Sequence, residues 1–437
     1  MLDQVRWDDG PWIPESVPLH VASEPPIPQH RDGMHSGIGG LAYVLAELRR
    51  HRRWTHKEHT LAEAITDRVR TGIATKTDYD FFDGLVSSIG VLSALQTHGI
   101  TEAIERLADL ADEDGWPQQI LGPPAFSPDA RLNDATLGTA SVLLGALWAR
   151  RCGIINGQSL AERAADLLLA EAEELPTGLM WGFVPRRFHI TNGEEMPNFS
   201  HGLAGIAIAL ALAGTELNRP AWTEAARRGA EHLITLADTS DGGFRVPHYL
   251  PNLDDEDRFT YGWCHGGTGT SLLFLALDRA GIESVSGAAP LDWHRRCLQS
   301  VRTSGLPARL HPGFWDNDGR CCGTAGVGDA FLDSWQRSGN TGDFEFAIRL
   351  ADALIERAII EGTHAWWQFT EHRAAEPLLP PGVGWMQGTA GIAAYLFRIC
   401  RVSKLGRDAD AVPRLDNWWA LLPPVTISNH PGDPPQP

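Results

Sequence analysis

Three cysteines and two histidines in this 437-residue chain stand where they could bind a soft metal and move protons. Cys264 lies in WCHG, Cys321 and Cys322 lie side by side in RCCG, and His201 and His265 fall in SHGLAG and WCHG. Adjacent cysteines make an awkward disulfide but serve readily as a pair of metal ligands. Three thiolates suit zinc, because three protein ligands plus one open tetrahedral position is the catalytic pattern. His201 can then be a fourth ligand, a general acid or base, or a capping residue. The acid–base role is the expectation, since three cysteines already fill the protein's share of a catalytic zinc. His265 is either a second proton carrier or a packed imidazole. Asp80, in YDFFDG, can orient or assist a histidine, although an aspartate there taken alone reads as a helix cap.

These residues are far apart in the chain, and an internal repeat brings them together. Its unit is a small-residue turn followed by an apolar helical run: HGLAGIAIALALAG from His201, HGGTGTSLLFLALDRAG from His265, CGTAGVGDAFLDSW from Cys322 and QGTAGIAAYLFRI from Gln387. Weaker copies begin at Ser36, Asp83 and Asp134, so the leading small residues are Gly37, Gly84, Ala135, Gly202, Gly266, Gly323 and Gly388. Between them run amphipathic stretches such as WTEAARRGAEHLITLAD from Trp222, with one apolar and one solvated face. Seven buried inner helices paired with seven outer ones, curved until the ends meet, make an all-α, closed α/α toroid.

In that register Gly-x-x-Gly removes two side chains one turn apart and lets a neighbouring backbone approach. The inner helices' N-termini crowd one central space and offer it unpaired N–H groups and positive dipole ends. Ser36, Asp83, Asp134, His201, His265, Cys322 and Gln387 precede the leading small residues and point into that space, with Cys264 and Cys321 one position earlier. Thiolates at such helix starts have lowered pKa and bind soft cations well. The other cysteines, Cys152, Cys297 and Cys400, fall at or within helical stretches and read as buried packing residues.

Composition bounds the answer. Thirty-seven Lys and Arg against 55 Asp and Glu give a charge of −18, which argues against a nucleic-acid partner. Six cysteines are too sparse for a disulfide scaffold. No run approaches the roughly 18 apolar residues of a membrane span, and the N-terminus lacks the basic start and apolar run of a secretory signal. A soluble, cytoplasmic chain is expected. Length alone suggests about three domains, but the repeat reduces them to one over 31–421. It is flanked by an N-terminal extension (1–30) and a proline-rich tail (422–437), both expected to be poorly ordered. DDED at 254–257 reads as a solvated loop, and DNDG at 316–319 lacks the glutamate of an EF-hand. No phosphate-binding or kinase signature is present.

The motifs SHGLAG, WCHG, RCCG and GWMQGTAG resemble the lanthionine synthetase C family of cyclases, over about Gly33 to Ile399. The resemblance implies an α/α toroid with one zinc at its centre, held by Cys264, Cys321 and Cys322. It implies His201 as the catalytic histidine and Asp80 as the catalytic aspartate. Many single-domain members carry Cys-His-Gly where this chain has RCCG, a form that looks like the cyclase domain of larger bifunctional synthetases. Three thiolates give a zinc site one net negative charge, which leaves a substrate sulfur more nucleophilic than a histidine-containing site would. Relatives often place an arginine and a tyrosine where this chain has Thr260 and His265, with Arg258 nearby.

The implied reaction is Michael addition of a peptide cysteine to a dehydroalanine or dehydrobutyrine, forming a thioether ring. His201 protonates the enolate with Asp80 or His265 assisting, and a separate dehydratase supplies the dehydrated precursor peptide. The same motifs would suit a relative that adds glutathione or another external thiol to dehydrated residues. A zinc-dependent prenyltransferase subunit would want mixed ligands. A glycosidase would use rim carboxylates such as Asp83 and Asp134, but leaves three aligned cysteines unexplained. A non-enzymatic scaffold would be marked by loss of zinc.

Overall fold

Apolar residues that recur on every side of one helix, then on one face of the next, give alternating buried and half-buried helices. The computed structural model describes residues 2–17, 30–191, 193–251, 258–308, 317–370 and 378–421. In chain order the helices are α1 (Gly40–His51) and α2 (His56–Ile73), α3 (Leu85–Leu95) and α4 (Ile100–Leu110), then α5 (Thr139–Arg151) and α6 (Gly157–Ala170). They continue with α7 (Leu203–Glu216) and α8 (Pro220–Leu236), α9 (Gly267–Arg279) and α10 (Pro290–Arg302), and α11 (Thr324–Ser338) and α12 (Thr341–Arg357). Last come α13 (Thr389–Leu405) and the short α14 (Trp418–Leu421). Every residue of α7 from Leu203 to Gly214 is buried, whereas α4 buries only Ile100, Ala103, Ile104 and Leu107, a single stripe. Proline at the first position, where its missing N–H costs nothing, opens α8 and α10.

The odd-numbered helices from α1 to α13 form the inner layer of an α/α toroid. Neighbours pack α1 on α3, α3 on α5, α5 on α7, α7 on α9 and α11 on α13, and α13 returns to α1. Between α9 and α11 sits α14, packed against both, with Trp419 Nε1 donating to Leu272 O at 3.1 Å. Among the described residues the outer layer is therefore the six helices α2 to α12, and the fourteenth helix is an inward wedge. Three antiparallel hairpins decorate the loops that lead into inner helices: β1 (Glu173–Leu175) with β2 (Gly178–Met180), β3 (Ile359–Glu361) with β4 (His364–Trp366), and β5 (Phe369–Thr370) with β6 (Leu378–Leu379). Among the described residues no helix is long and apolar enough to cross a membrane.

The glycine pairs do permit a close approach, but by the chain's own preceding loop. A Cβ on Gly205 would stand 2.0 Å from Phe199 O, and one on Gly269 would stand 1.8 Å from Trp263 O, each six residues back. That loop also takes up the helix-start N–H groups expected to be unpaired. Leu85 N, Thr139 N, Ala204 N, Thr324 N and Thr389 N donate to carbonyls seven residues earlier at 2.8–3.0 Å. The inner helix starts consequently offer the centre side chains more than free donors.

Three further expectations change. The third inner helix is capped by Gly138, not led by Ala135, because the Asp134 carboxylate accepts Thr136 N and Leu137 N and holds an extra turn before the helix. Residues 2–17 are not loose: Val5, Trp12, Ile13 and Val17 are buried, and Val17 N donates to Pro381 O at 2.8 Å. The tail 422–437 lies outside the described residues. Of the three packing cysteines only Cys297 is buried; Cys152 and Cys400 are exposed.

Candidate metal centre

The inner helices meet at a belt of hydrogen bonds two residues before each leading glycine. Ser200 N donates to Cys264 O (2.8 Å), Cys264 N to Cys321 O (3.2 Å), Cys321 N to Met386 O (2.8 Å) and Met386 N to His35 O (3.1 Å). His35 N continues to Phe82 O (3.3 Å) and Phe81 N to Thr136 O (2.7 Å). The Thr136 hydroxyl then donates to Ser200 O at 3.1 Å and closes the circuit. Each of the seven repeats is thereby tied to the next, and Cys264 and Cys321 occupy equivalent places on adjacent repeats.

That equivalence, with Cys322 one residue further on, assembles the sulfurs. The Sγ atoms of Cys264, Cys321 and Cys322 lie within 4.8 Å of one another and all three residues are buried. Cys264 Sγ and Cys322 Sγ are 3.1 Å apart, far beyond the ~2.05 Å of a disulfide. Cys321 and Cys322 are held well above the usual thiol range, first by hydrogen bonding to Cys264 and then by burial. Burial opposes ionisation of Cys264 as well. The hydrogen bonds from Cys321 and Cys322, with His265 and His248 close by, nevertheless hold it well below that range. Without a cation the cluster supports one negative charge; a divalent ion would let all three sulfurs ionise. The donor set fits zinc. Among the described residues no imidazole nitrogen or carboxylate oxygen joins the three sulfurs at that spacing, so a fourth position is left for another ligand.

His201 stands beside the cluster with its chemistry already directed. Its Nδ1 donates to Asp134 Oδ2 at 2.8 Å, and the Thr136 hydroxyl lies 3.1 Å from the same nitrogen. Asp134 is fully buried, while the His201 side chain keeps 21% of its surface exposed. A carboxylate on Nδ1 fixes the tautomer that leaves Nε2 free to exchange a proton. His265 packs between two other imidazoles, with ring centroids 5.3 Å from His201 and 4.4 Å from His248. Phe183 meets His201 edge-on at 5.4 Å, and Phe81, Phe82 and Phe199 surround Trp263, the residue before Cys264.

The structure brings the three sulfurs together and sets the rings of His201 and His265 against each other, while Asp80 holds a turn instead. Its Oδ1 accepts Phe82 N and Asp83 N at 2.8 Å, the helix-capping role, and burial pushes its carboxyl up. The carboxylate on His201 is Asp134, which stands four residues before Gly138 as Asp80 stands four before Gly84. His248, buried in the loop before α9, carries no sequence signal. Thr260 is buried and its hydroxyl has no hydrogen-bond partner among the described residues, whereas Arg258 is exposed with its guanidinium over Phe259 at 5.1 Å. DDED at 254–257 and Asp316 of DNDG lie outside the described residues. The remainder of DNDG serves the turn, with Gly319 N donating to Asn317 Oδ1 at 3.0 Å and Asp318 pairing with Arg357.

Asp83, immediately before Gly84, is pushed up to about 8, first by burial and then by Asp80 beside it, against the pull of Lys76. Its carboxyl is protonated in the folded chain at neutral pH, while in the unfolded chain it ionises near pH 4. Between about pH 4 and 8 the folded state therefore binds the extra proton, and stability falls as pH rises through that window. Asp83→Asn is expected to raise the thermal midpoint at pH 8 and leave it unchanged at pH 4. The ceiling is about 1.4 kcal/mol per pH unit, and less here because the side chain is partly exposed. Melting curves at the two pH values check it.

Among curated proteins none matches the sequence. Among solved structures the chain is similar to nisin cyclase, at 13% identity over 90% of this chain and 92% of that one, with a TM-score of 0.57. A D-mannose isomerase aligns at 14% identity over 80% of this chain and 98% of that one, with a TM-score of 0.49. At such identities the likeness to nisin cyclase speaks to the fold alone, and the fold is the α/α toroid already described. The family model for lanthionine synthetase C-like proteins matches residues 28–405. That span holds every inner helix, the belt, the sulfur triad and the His201–Asp134 pair, so the chain belongs to the lanthionine synthetase C-like family.

Proposed function

We propose that the chain is a zinc-dependent cyclase that joins a cysteine of a dehydrated peptide to a dehydroalanine or dehydrobutyrine of the same peptide. The observation that carries this reading is the juxtaposition of three buried sulfurs, open to a fourth ligand, with a histidine whose Nδ1 is held by a buried carboxylate. Bound by Cys264, Cys321 and Cys322, zinc would lower the pKa of a substrate thiol so that it is nucleophilic at neutral pH.

The chain's own residues account for the rest. The thiol adds across the C=C bond: sulfur bonds to Cβ, the π pair moves toward the carbonyl, and the enolate must gain a proton at Cα. His201 Nε2, opposite the nitrogen held by Asp134, is the group we assign to that transfer. It first takes the proton that the thiol loses and then passes it to Cα, so the reaction balances without a change in peptide mass. His265 stands beside His201 with His248 behind, and Phe183 covers the His201 ring from another side. A peptide dehydrated by a separate dehydratase is the substrate class this chemistry needs.

Because cyclisation leaves mass unchanged, the test counts thiols. Zinc-loaded protein incubated with a dehydrated, cysteine-containing peptide should abolish the peptide's alkylatable thiol. An unchanged alkylation count would sink the reading. An adduct with added glutathione, at the expense of ring formation, would assign the external-thiol activity instead.

A further inference from the structure

Beneath the belt the toroid's interior is charged where apolar packing would have sufficed. Asp329 of α11 receives three arginines: Arg320 at 2.5 Å, Arg398 of α13 at 2.7 Å and Arg414 at 3.0 Å. Arg398 also meets Asp333 at 2.5 Å, and Arg414 meets Asp416 at 3.2 Å. The Arg320, Arg398, Arg414 and Asp329 side chains are each no more than 7% exposed. Three carboxylates against three guanidiniums leave no net charge. Burial opposes ionisation of Asp329, but Arg320, Arg398 and Arg414 hold its carboxyl well below the usual range. A small cavity of about 20 Å³, room for about one water, separates part of this network from Trp263 and Met386.

Buried ion networks are often no more stabilising than well-packed apolar replacements, so stability alone is a weak reason for this one. Its geometry supplies another. Arg320 is the residue before Cys321, and both of their N–H groups donate to Met386 O, at 2.7 and 2.8 Å. The Arg320 guanidinium is pinned twice more, by Asp329 and by the Trp385 ring 4.5 Å away. The two adjacent ligands thus hang from a residue fixed at backbone, charge and ring face.

We propose that Arg320 and its partner Asp329 are positioning residues for the metal centre, anchoring the Arg320–Cys322 segment so that the sulfurs of Cys321 and Cys322 meet that of Cys264. The inference rests on the zinc reading of the triad. Ligand sulfurs must be held within about half an ångström to bind well, and loss of residues that orient ligands typically lowers metal affinity about 10–100-fold. Arg414, which reaches Asp329 from the segment before α14, ties the same anchor to the inward wedge.

The test compares full-length wild type, Arg320→Met, Arg320→Lys and Asp333→Asn. Zinc affinity is measured by chelator competition, the absorption spectrum is recorded after cobalt substitution, and thermal midpoints are taken in parallel. Arg320→Met should weaken zinc about 10–100-fold and change the cobalt bands. Arg320→Lys, keeping the charge toward Asp329, should restore most of the affinity. Asp333→Asn disturbs Arg398 but not Arg320, so it should lower the midpoint with affinity unchanged. Wild-type affinity and spectrum in Arg320→Met overturn the proposal, as does an affinity loss in Asp333→Asn that simply tracks its midpoint. If Arg320→Met does not fold, Arg320→Lys against Asp333→Asn decides. Wild type that binds neither zinc nor cobalt removes the zinc reading itself, a separate result.

Discussion

Purified wild-type chain carries one zinc, and Cys264→Ala or Cys322→Ala carries none: this is the largest effect the structure leads us to expect. Structural zinc sites bind with roughly 10–16 kcal/mol over four ligands, so each ligand averages about 2.5–4 kcal/mol, or about two to three orders of magnitude in affinity. Only three protein sulfurs are available here, and the loss of one leaves two. The ring itself should survive. Cys264 and Cys322 are buried but small, and the inner helices are held by their own apolar faces and by backbone bonds that alanine retains. Metal analysis by mass spectrometry, alongside a melting curve, separates loss of zinc from loss of fold. Thiol consumption in the dehydrated peptide should vanish with the metal. Well-folded wild type without zinc, even after reconstitution under reducing conditions, would end the mechanism proposed above.

The second large effect lies at the histidine. Asp134→Asn should lower the cyclisation rate about 10²–10⁴-fold while zinc content stays at one per chain. An asparagine oxygen in the place of Oδ1 can still accept Leu137 N, so the turn before α5 keeps that bond. Its amide, however, donates where the carboxylate accepted. His201 then turns its proton to Nε2, and the nitrogen meant to cycle protons is held in the wrong tautomer at the start of each turnover. The fall should appear in kcat with little change in KM, because Asp134 is fully buried and has no surface to offer the peptide. Asp80→Asn is the control. It shares the local geometry but no histidine, and should leave the rate within a few-fold. Equal losses at the two positions would show that the turns, not the His201 contact, matter.

That control marks where the sequence ceased to be readable. Asp80 and Asp134 each stand four residues before a helix-capping glycine and each accepts the same two backbone N–H groups. Nothing local distinguishes them; the difference is which repeat follows. Asp134 faces the repeat that bears His201, and Asp80 does not. Ala135 concealed the register further by imitating a leading small residue three positions early. The cysteines were legible for the opposite reason. A carbonyl about 2 Å from where a Cβ would lie demands glycine, the demand recurs at Gly205, Gly269, Gly326 and Gly391, and residues counted back from these become spatial neighbours. His248 had no such marker, because it comes from a loop whose path depends on Asn198 reaching Pro247 O at 2.9 Å. One terminal segment also misled. Pro-rich spacing near the start read as loose chain, but Val5, Ile13 and Val17 find apolar partners.

The closed belt also fixes how such a protein can change. In an open solenoid each repeat sees its two neighbours, and the end repeats need special capping surfaces. Here there is no end repeat, and seven loop tips look across one small space. Ser36, Asp83, Leu137, His201, His265, Cys322 and Gln387 all stand one residue before a leading glycine, like seven letters read around a dial. Three of those letters, His201, His265 and Cys322, stand with the proton and sulfur chemistry, and Leu137 packs against the small apolar cluster of Ala130, Leu132, Val184 and Phe188. Ser36, Asp83 and Gln387 are the letters that could change while the belt's backbone hydrogen bonds keep the frame.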